Sequence, residues 1–574
     1  MKIEIIRDIE IVKKYEDKWL EILQVQANGI TFIELDWIIS WWDYFGEQYE
    51  LFIIMLKEDV KILGFFPFMI TKKGGYKELS FIGKPEASYM DFIIEDKYKE
   101  KAISYIMDFL LKVKGKYLFN LHGIFEDSLS YKVIVQYLQQ RNIPFFIHEL
   151  PFYYQEINGD FENYLNKHFS SKTRQTMRRK ENRLNKLGEV KFEKSSPKNL
   201  EQAFRIHDKR WQRKVGNSKF SEGRSEQFFK DLHLNTEDSS FKSTIDVITL
   251  NSKVIAFIYG FTCRGRYTFY RIAHDDDFYL FSPGELVLRE KIKQCTENDI
   301  KIFDFGAGYE PYKADWSDNW INVDTIFFYN NTLIPYLIFR KMKAIKEIKA
   351  ILKKNNRVLN FKKYTLGRIK YKFSKDYRQQ YLRKWQRKGI AYLVHIINPL
   401  YSQEECFILH NRLKKRGKRQ NLKPPYYIEN LTINDLELIS NISGEWASSI
   451  VRRLSMEHKF FIVKKEDIII CHFWSGVNTI NIEQVKQRRK IKKNEAMIYD
   501  IDLIKPDEVL EIWDDLIEEL KIHFYNADFQ DLYIVFNRKQ KELSQRSKGK
   551  GFKMKEKISI KWRLGKCIKK TEEY

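Results

Sequence analysis

The side chains best equipped for chemistry stand together in the stretch Lys301–Trp320, KIFDFGAGYEPYKADWSDNW. A β-like run (Ile300, Ile302, Phe303) ends at Asp304. A turn with Gly306 and Gly308 follows, and then come Tyr312, Lys313, Trp316 and Trp320. Glycine lets a backbone approach a ligand closely or take up positive φ. A carboxylate, a phenol and an ammonium around such a turn could serve a group transfer, which needs a base for an acceptor's proton and a donor for the leaving group. Asp304 is the candidate base or acceptor-orienting group. Tyr312 is the candidate proton donor or carbonyl polariser, and Lys313 the group that neutralises developing charge. No Ser-His-Asp or Cys-His arrangement is apparent, which speaks against a covalent acyl-enzyme. The competing reading is a packed loop with its aromatics in the core, because one short motif is weak evidence.

The elements that must hold this stretch follow from apolar spacing. Residues 31–46 have helical periodicity; residues 51–56 and 61–70 are β-like, with a polar hairpin at 72–75 and a short run at 79–82. Ser88-Tyr89-Met90-Asp91 interrupts the apolar pattern before a strand at 92–94, so Asp91 is either a turn cap or a substrate ligand. Helices are expected at 97–113 and 127–140, and strands near 117–122 and 145–157. Between Ser170 and Gly188 stands a basic helix in which Arg174 and Arg178 share a side. Their planar forks suit phosphate; the alternative is a solvated basic face. His207 and Trp211, four apart, share a helical face and are candidate substrate contacts, with His207 read more economically as a buried structural histidine. Strands at 244–250, 253–262 and 266–273 follow, the last carrying Tyr270 as a further substrate candidate. Asp275-Asp276-Asp277 reads as a solvated turn, and no metal site is expected. Ser282-Pro283-Gly284 opens a helix of about 12 residues, and free N–H groups at such an end favour an anion, so this turn is the candidate for a cofactor's phosphates.

Four of these blocks, in register over roughly residues 25–330, carry a family resemblance. They are Asp304-Phe305-Gly306-Ala307-Gly308 with Tyr312-Lys313 and Trp316, the basic stretch 170–188, His207–Trp211, and the Ser282-Pro283-Gly284 turn. Together they resemble the GNAT-type acyltransferases of the CelD (cellulose and exopolysaccharide biosynthesis) family, relatives of the FemABX peptidoglycan aminoacyltransferases. The resemblance implies an α/β (α+β) fold of tandem GNAT-like lobes, each a mixed, mostly antiparallel sheet flanked by helices. It implies an acyltransferase using acyl-CoA, typically acetyl-CoA, as co-substrate, with an amino sugar or similar glycan precursor in bacterial surface-polysaccharide assembly as acceptor. It also places a Ser/Tyr-Asp element at Asp91 and an aromatic at Trp316 near the substrate. The usual GNAT phosphate loop (Arg/Gln-x-x-Gly-x-Gly/Ala) is missing from the first 150 residues, and the 282–284 turn departs from it. One alternative is therefore aminoacyl transfer from tRNA, as in FemABX. Another is a non-catalytic protein of membranes or nucleic acid.

At 574 residues with 43% hydrophobic and 15% aromatic residues, the chain has material for several domains with sizeable cores, which excludes a disordered protein. We expect boundaries at 1–158 and 159–332 for two lobes and at 333–425 for a basic helical connector. A third GNAT-like unit is expected at 426–562 and a basic tail at 563–574. In the third unit the phosphate-loop position reads Lys505-Pro506-Asp507-Glu508, without glycine and with acids that repel pyrophosphate, so the fold is expected without its cofactor site. Five scattered cysteines without CxxC spacing argue against disulfides and structural zinc and for a reducing cytosol. The N-terminus lacks the apolar core of a signal peptide, and no run is long enough to span a bilayer. Lysine and arginine number 101 against 77 acids, a formal charge of +24. This favours anionic partners, although composition biased to Lys, Ile, Asn and Tyr explains part of it. The basic helical stretches, 171–187 and 336–388, could meet an anionic membrane surface, giving a cytoplasmic protein with a peripheral contact, or pack against the third unit.

Overall fold

A computed structural model describes all residues except 27, 28, 216–219, 221, 222, 237, 238, 299, 331, 354–400, 416–421, 483, 484, 486, 564 and 565. The chain is mixed α/β throughout and forms two compact units. The first contains Met1–Arg178, Lys191–Asp275 and the described chain from Pro283 to Lys353; the second contains Arg179–Val190, Asp276–Ser282 and the described chain from Tyr401 to Tyr574.

One sheet of 14 strands organises the first unit. Its path runs Lys2–Ile6, Glu50–Glu58, Lys61–Lys73, Tyr76–Phe81, Tyr117–Phe125, Asn319–Tyr329, Pro151–Glu156, Ile302–Ala307, Arg266–His274, Lys253–Cys263, Lys242–Leu250, Val190–Lys194. The central strands read as unbroken apolar runs (LFIIML at 51–56, FFPFMI at 65–70) because helices cover both faces. Leu35–Phe45 buries Trp37, Ile38 and Trp41, and Asp96–Lys112 buries Ala102, Ile103, Ile106, Met107 and Leu110, each at three- and four-residue spacing.

Two neighbouring pairs on this path are parallel, and each is joined through a crossover helix. Residues 77–80 pair with 117–120 across the helix Asp96–Lys112, and residues 266–268 pair with 302–304 across the helix Pro283–Glu297. In both, pairing stops while the strands continue, so each lobe has a pair that opens toward its carboxyl end. The tandem architecture is this unit used twice. The lobes nevertheless share strands: Pro151–Glu156 pairs with Ile302–Ala307, and Asn319–Tyr329 pairs with Tyr117–Phe125. A cut at residue 158 therefore passes through one continuous sheet.

The opened strand of the second lobe is bulged. Tyr259 pairs with Arg271 and Gly260 with Phe269, which leaves Tyr270 as the extra residue. Bulges re-aim side chains and gather near functional sites. The bulge depends on Gly260, since a Cβ there would lie 2.5 Å from the Tyr267 ring and 2.6 Å from the Thr268 carbonyl oxygen. Gly260→Ala is expected to cost about 1–3 kcal/mol of stability by overpacking, read as a lowered urea midpoint.

The second unit has an eight-stranded sheet, ordered Tyr426–Leu431, Lys459–Lys465, Ile468–Gly476, Glu495–Leu503, Asp531–Asn537, Tyr401–Arg412, Lys553–Arg563, Lys566–Glu573. Its one parallel pair among the described residues, 495–498 with 531–534, is joined through the helix Pro506–Asn526. That helix starts two residues after the strand, with Asp507 and Glu508 in its first turn and Glu508 paired to Lys505 and Lys465. Two expectations change here. Tyr401–Arg412, assigned to a helical connector, is an interior strand that pairs on both sides. Lys566–Glu573, assigned to a tail, pairs with Lys553–Arg563 at the sheet edge, where charged side chains suit an exposed strand. The rest of the expected connector between 354 and 400 lies outside the described residues.

Candidate functional site

Where the second-lobe strands begin to part, a buried polar network crosses from one lobe to the other. Asp304 is fully buried and sits at the last paired position, opposite Thr268. Its Oδ1 accepts from the Gly306 N–H at 2.7 Å. Its Oδ2 accepts from the Tyr89 hydroxyl and from Thr268 Oγ1 at 3.3 Å, and Arg266 Nη1 lies 3.5 Å away. The Thr31 and Thr268 hydroxyls are 2.6 Å apart, and Tyr89 Oη is 3.1 Å from Thr268. Tyr89 is itself sealed by Phe32, Phe125 and Phe152. Burial pushes the Asp304 pKa up, and Arg266 and the Tyr89 hydrogen bond oppose it; burial and Asp304 together push the Tyr89 phenol well up. Asp304 thus has no path to an incoming acceptor and acts as the pin between lobes.

Beyond this pin the strands separate, and the groups at the opening are Tyr270, Arg271, Gly306, Ala307, Tyr312 and Lys313. Gly306 and Gly308 have φ of 72° and 140°, which only glycine adopts without strain. They turn the chain from the strand into the short helix Pro311–Trp316. The buried Lys313 Nζ reaches back to the carbonyls of Ala307 (3.0 Å) and Gly306 (3.3 Å) and to Glu310 Oε2 (3.1 Å). Burial lowers its pKa against the pull of Glu310 and Asp304. Tyr312 is half-buried; burial and Glu310 raise its pKa while Arg271 opposes them, so the phenol keeps its proton at neutral pH. Tyr270 donates to the Glu86 carbonyl at 3.1 Å, and the exposed Arg271 lies 4.2 Å from its ring. His207 is buried against Phe220 and Trp211, and burial with Arg271 and Arg210 nearby lowers its pKa to about 3. Its imidazole is neutral.

The other expected site residues fall elsewhere. Asp91 is buried in an ion pair with the equally buried Lys99 at 3.2 Å, away from the Asp304 network that Tyr89 joins. Trp316 is 4% exposed, packed on Phe169, with its carbonyl accepting from Tyr164 at 2.6 Å; Trp320 is the exposed indole. Trp211 is partly exposed on the helix Pro197–Val215. Arg178 points to Glu162 at 3.7 Å on the surface, while Arg174 has a buried Nε without a hydrogen-bond partner among the described residues. Pro283 and Gly284 start the helix Pro283–Glu297, and a Cβ on Gly284 would meet His274 Nδ1 at 2.8 Å; Ser282 has φ of 52°. Sequence reasoning missed Thr31, Tyr89, Arg266, Thr268 and Arg271. Only Tyr89 carried a signal, as part of the polar interruption before residue 92.

A cavity of about 320 Å³ lined by Glu156, Asn158, Tyr164, Lys167, Thr296 and Asp318 lies at the other end of these strands. Glu156 pairs with Ile302, at the start of the strand that Asp304 ends. In open α/β sheets ligands sit beyond the carboxyl ends of strands, which favours the opening over this cavity. Among the described residues no group of His, Cys, Asp or Glu is disposed to hold a metal ion.

The sheet crossing also holds a strained carboxylate. Asp324 is 1% exposed; burial, with Glu126 and Glu149 nearby, raises its pKa to about 6 against a hydrogen bond from Tyr131. A raised carboxyl stabilises the fold fully below the unfolded value and loses that contribution as pH rises through about 6. Asp324→Asn is expected to be more stable than wild type by about 1–3 kcal/mol at pH 8, with a smaller gap at pH 5, in paired thermal melts.

Residues 171–314 match the family described as Acetyltransferase (GNAT) domain. No curated protein matches the chain. Solved structures that resemble it include FemX, at 12% identity and a TM-score of 0.43 over 57% of this chain and 98% of that one. The C-terminal domain of a putative lysylphosphatidylglycerol synthetase from Agrobacterium fabrum is 12% identical with a TM-score of 0.36 over 58% and 97%. A tandem GNAT protein from the clavulanic acid biosynthesis pathway is 7% identical with a TM-score of 0.32 over 57% and 98%. The opened strand pair lies inside the stretch that matches the GNAT acetyltransferase domain, and the chain is an acyltransferase.

Proposed function

We propose that this protein transfers an acyl group from an acyl-CoA to the amino group, or a hydroxyl, of an amino sugar or related glycan precursor. The observation that carries this reading is the parallel pair that opens just past Thr268 and Asp304 within the matched domain. An acyl thioester would supply an activated carbonyl and a thiolate leaving group. Tyr312, protonated at neutral pH, donates to that thiolate and is reprotonated by the proton that the acceptor's amino or hydroxyl group gives up. Lys313 holds the 306–307 carbonyls and stabilises negative charge beside them. Arg271 and Tyr270 line the acceptor side, and Asp304 with Tyr89 positions the strand end. The N–H groups at the start of the fifteen-residue helix Pro283–Glu297 fit a phosphate, and the buried Arg174 Nε is a further unsatisfied donor.

A second reading keeps the opening and changes the donor to an aminoacyl-tRNA. It is favoured by the formal charge of +24. Full-length protein incubated with acetyl-CoA or longer acyl-CoAs and an amino-sugar panel should release free thiol and yield an acylated sugar by mass spectrometry. No release of thiol from any acyl-CoA, but aminoacyl transfer from charged tRNA, moves the assignment to the second reading; neither activity overturns both.

A further inference from the structure

We propose that the helix Leu333–Lys353 docks the protein in-plane on an anionic lipid surface. This 21-residue helix carries two apolar stripes on opposite sides. The inner stripe, Phe339 with Ile338 and Met342, packs on Leu118, Phe146 and Tyr329 of the first unit. Lys346 on the same side donates to the Ile147 carbonyl. The outer side exposes Leu333 (71%), Leu337 (55%) and Ile348 (56%), with Tyr336 and Ile345 at its margins. Leu333, Leu337, Ala344 and Ile348 recur at intervals of four, seven and four residues, one continuous face of a 3.6-residue helix. A helix needing only its inner stripe for folding would expose polar residues there.

Charge selects the occupant. The helix holds six basic residues and one acid, with Arg340, Lys341 and Lys343 among the exposed leucines. Apolar side chains ringed by cations fit the boundary between hydrocarbon and anionic headgroups. The sequence that follows adds charge of the same sign, since residues 354–388 hold thirteen basic residues and one acid. Nucleic acid would satisfy the cations but leave the leucines in water. No helix among the described residues is long and apolar enough to cross a membrane, so the helix lies along the surface. The inference is independent of the acyl-transfer reading.

The test is flotation of the full-length protein with vesicles of phosphatidylcholine alone or mixed with phosphatidylglycerol. Binding is expected only to the mixed vesicles and to weaken with salt. Leu337→Ser with Ile348→Ser, which leaves the charge unchanged, should reduce partitioning roughly tenfold or more while the melting temperature is kept. Arg340→Gln with Lys341→Gln should weaken binding and reduce its salt dependence. The proposal is overturned if wild type does not bind the mixed vesicles, or if the double serine variant binds as wild type does, which would assign the affinity to the basic stretch 354–388 alone. It is equally overturned if light scattering finds a dimer that the serine variant dissolves, or if tRNA binds in preference to the vesicles.

Discussion

Asp304→Ala lowers the stability of the first unit by about 3–5 kcal/mol, the cost of removing one member of a buried ionic network. The alanine leaves the Tyr89 hydroxyl and the Gly306 N–H without their shared acceptor and the Arg266 guanidinium without its ion-pair partner, all in the interior. Asp304→Asn keeps an oxygen for two of these donors and should cost about 1–2 kcal/mol, as should Tyr89→Phe. Because Tyr89 and Asp304 are in direct contact, the double variant should lose less than the sum. The pH dependence has a definite sign. Burial raises the Asp304 pKa, so its contribution is full below the unfolded carboxyl value and falls as pH rises through the folded value. The deficit of Asp304→Asn should therefore shrink toward alkaline pH. Turnover per folded molecule should drop modestly, because the strand end loosens. An Asp304→Asn protein that melts like wild type yet has no turnover would return Asp304 to the role of general base.

This residue also marks how far sequence carries. That a strand ends at Asp304, turns on two glycines and feeds Tyr312 and Lys313 was legible, since strand, turn and helix signals are local. What Asp304 touches was not, because Thr31 and Thr268 are 237 residues apart in sequence and 2.6 Å apart in space. In the polar interruption at 88–91 the carboxylate looked the more functional group. In the structure Tyr89 meets Asp304 while Asp91 pairs with Lys99, and nothing local in the sequence says which of the two polar groups meets the second lobe. Trp316 was overvalued for the same reason: its type suits a ligand platform, but the face it occupies packs on Phe169 and Tyr164. Tyr401–Arg412 (YSQEECFILHNR) is a strand flanked by basic helical sequence, and its alternation was swamped by that context. Lys566–Glu573 is charged enough to read as a tail, although charge is what an edge strand tolerates. The paired openings in the first unit became visible only from register, which depends on how strands 36 or more residues apart align.

Tyr312→Phe is expected to lower kcat by roughly 10²–10³-fold, the range for loss of a positioned proton donor, with KM nearly unchanged and little change in melting temperature. Phenylalanine keeps the half-buried ring, so the change isolates the hydroxyl. The phenol is held protonated by burial and Glu310, so it does not titrate in the neutral range, and the variant's pH–rate profile should keep the wild-type shape at a lower height. Lys313→Ala should behave differently. Its ammonium ties the Gly306 and Ala307 carbonyls to Glu310, so its loss should lower turnover and stability together and raise KM as the glycine turn relaxes. The two variants thus separate chemistry from positioning within one short stretch. Single-turnover measurements with a saturating donor decide the matter, because slow product release would mask a chemical defect in steady-state rates. A Tyr312→Phe protein with wild-type single-turnover rates removes the tyrosine from the chemistry and leaves the leaving group to be protonated by water entering between the parted strands.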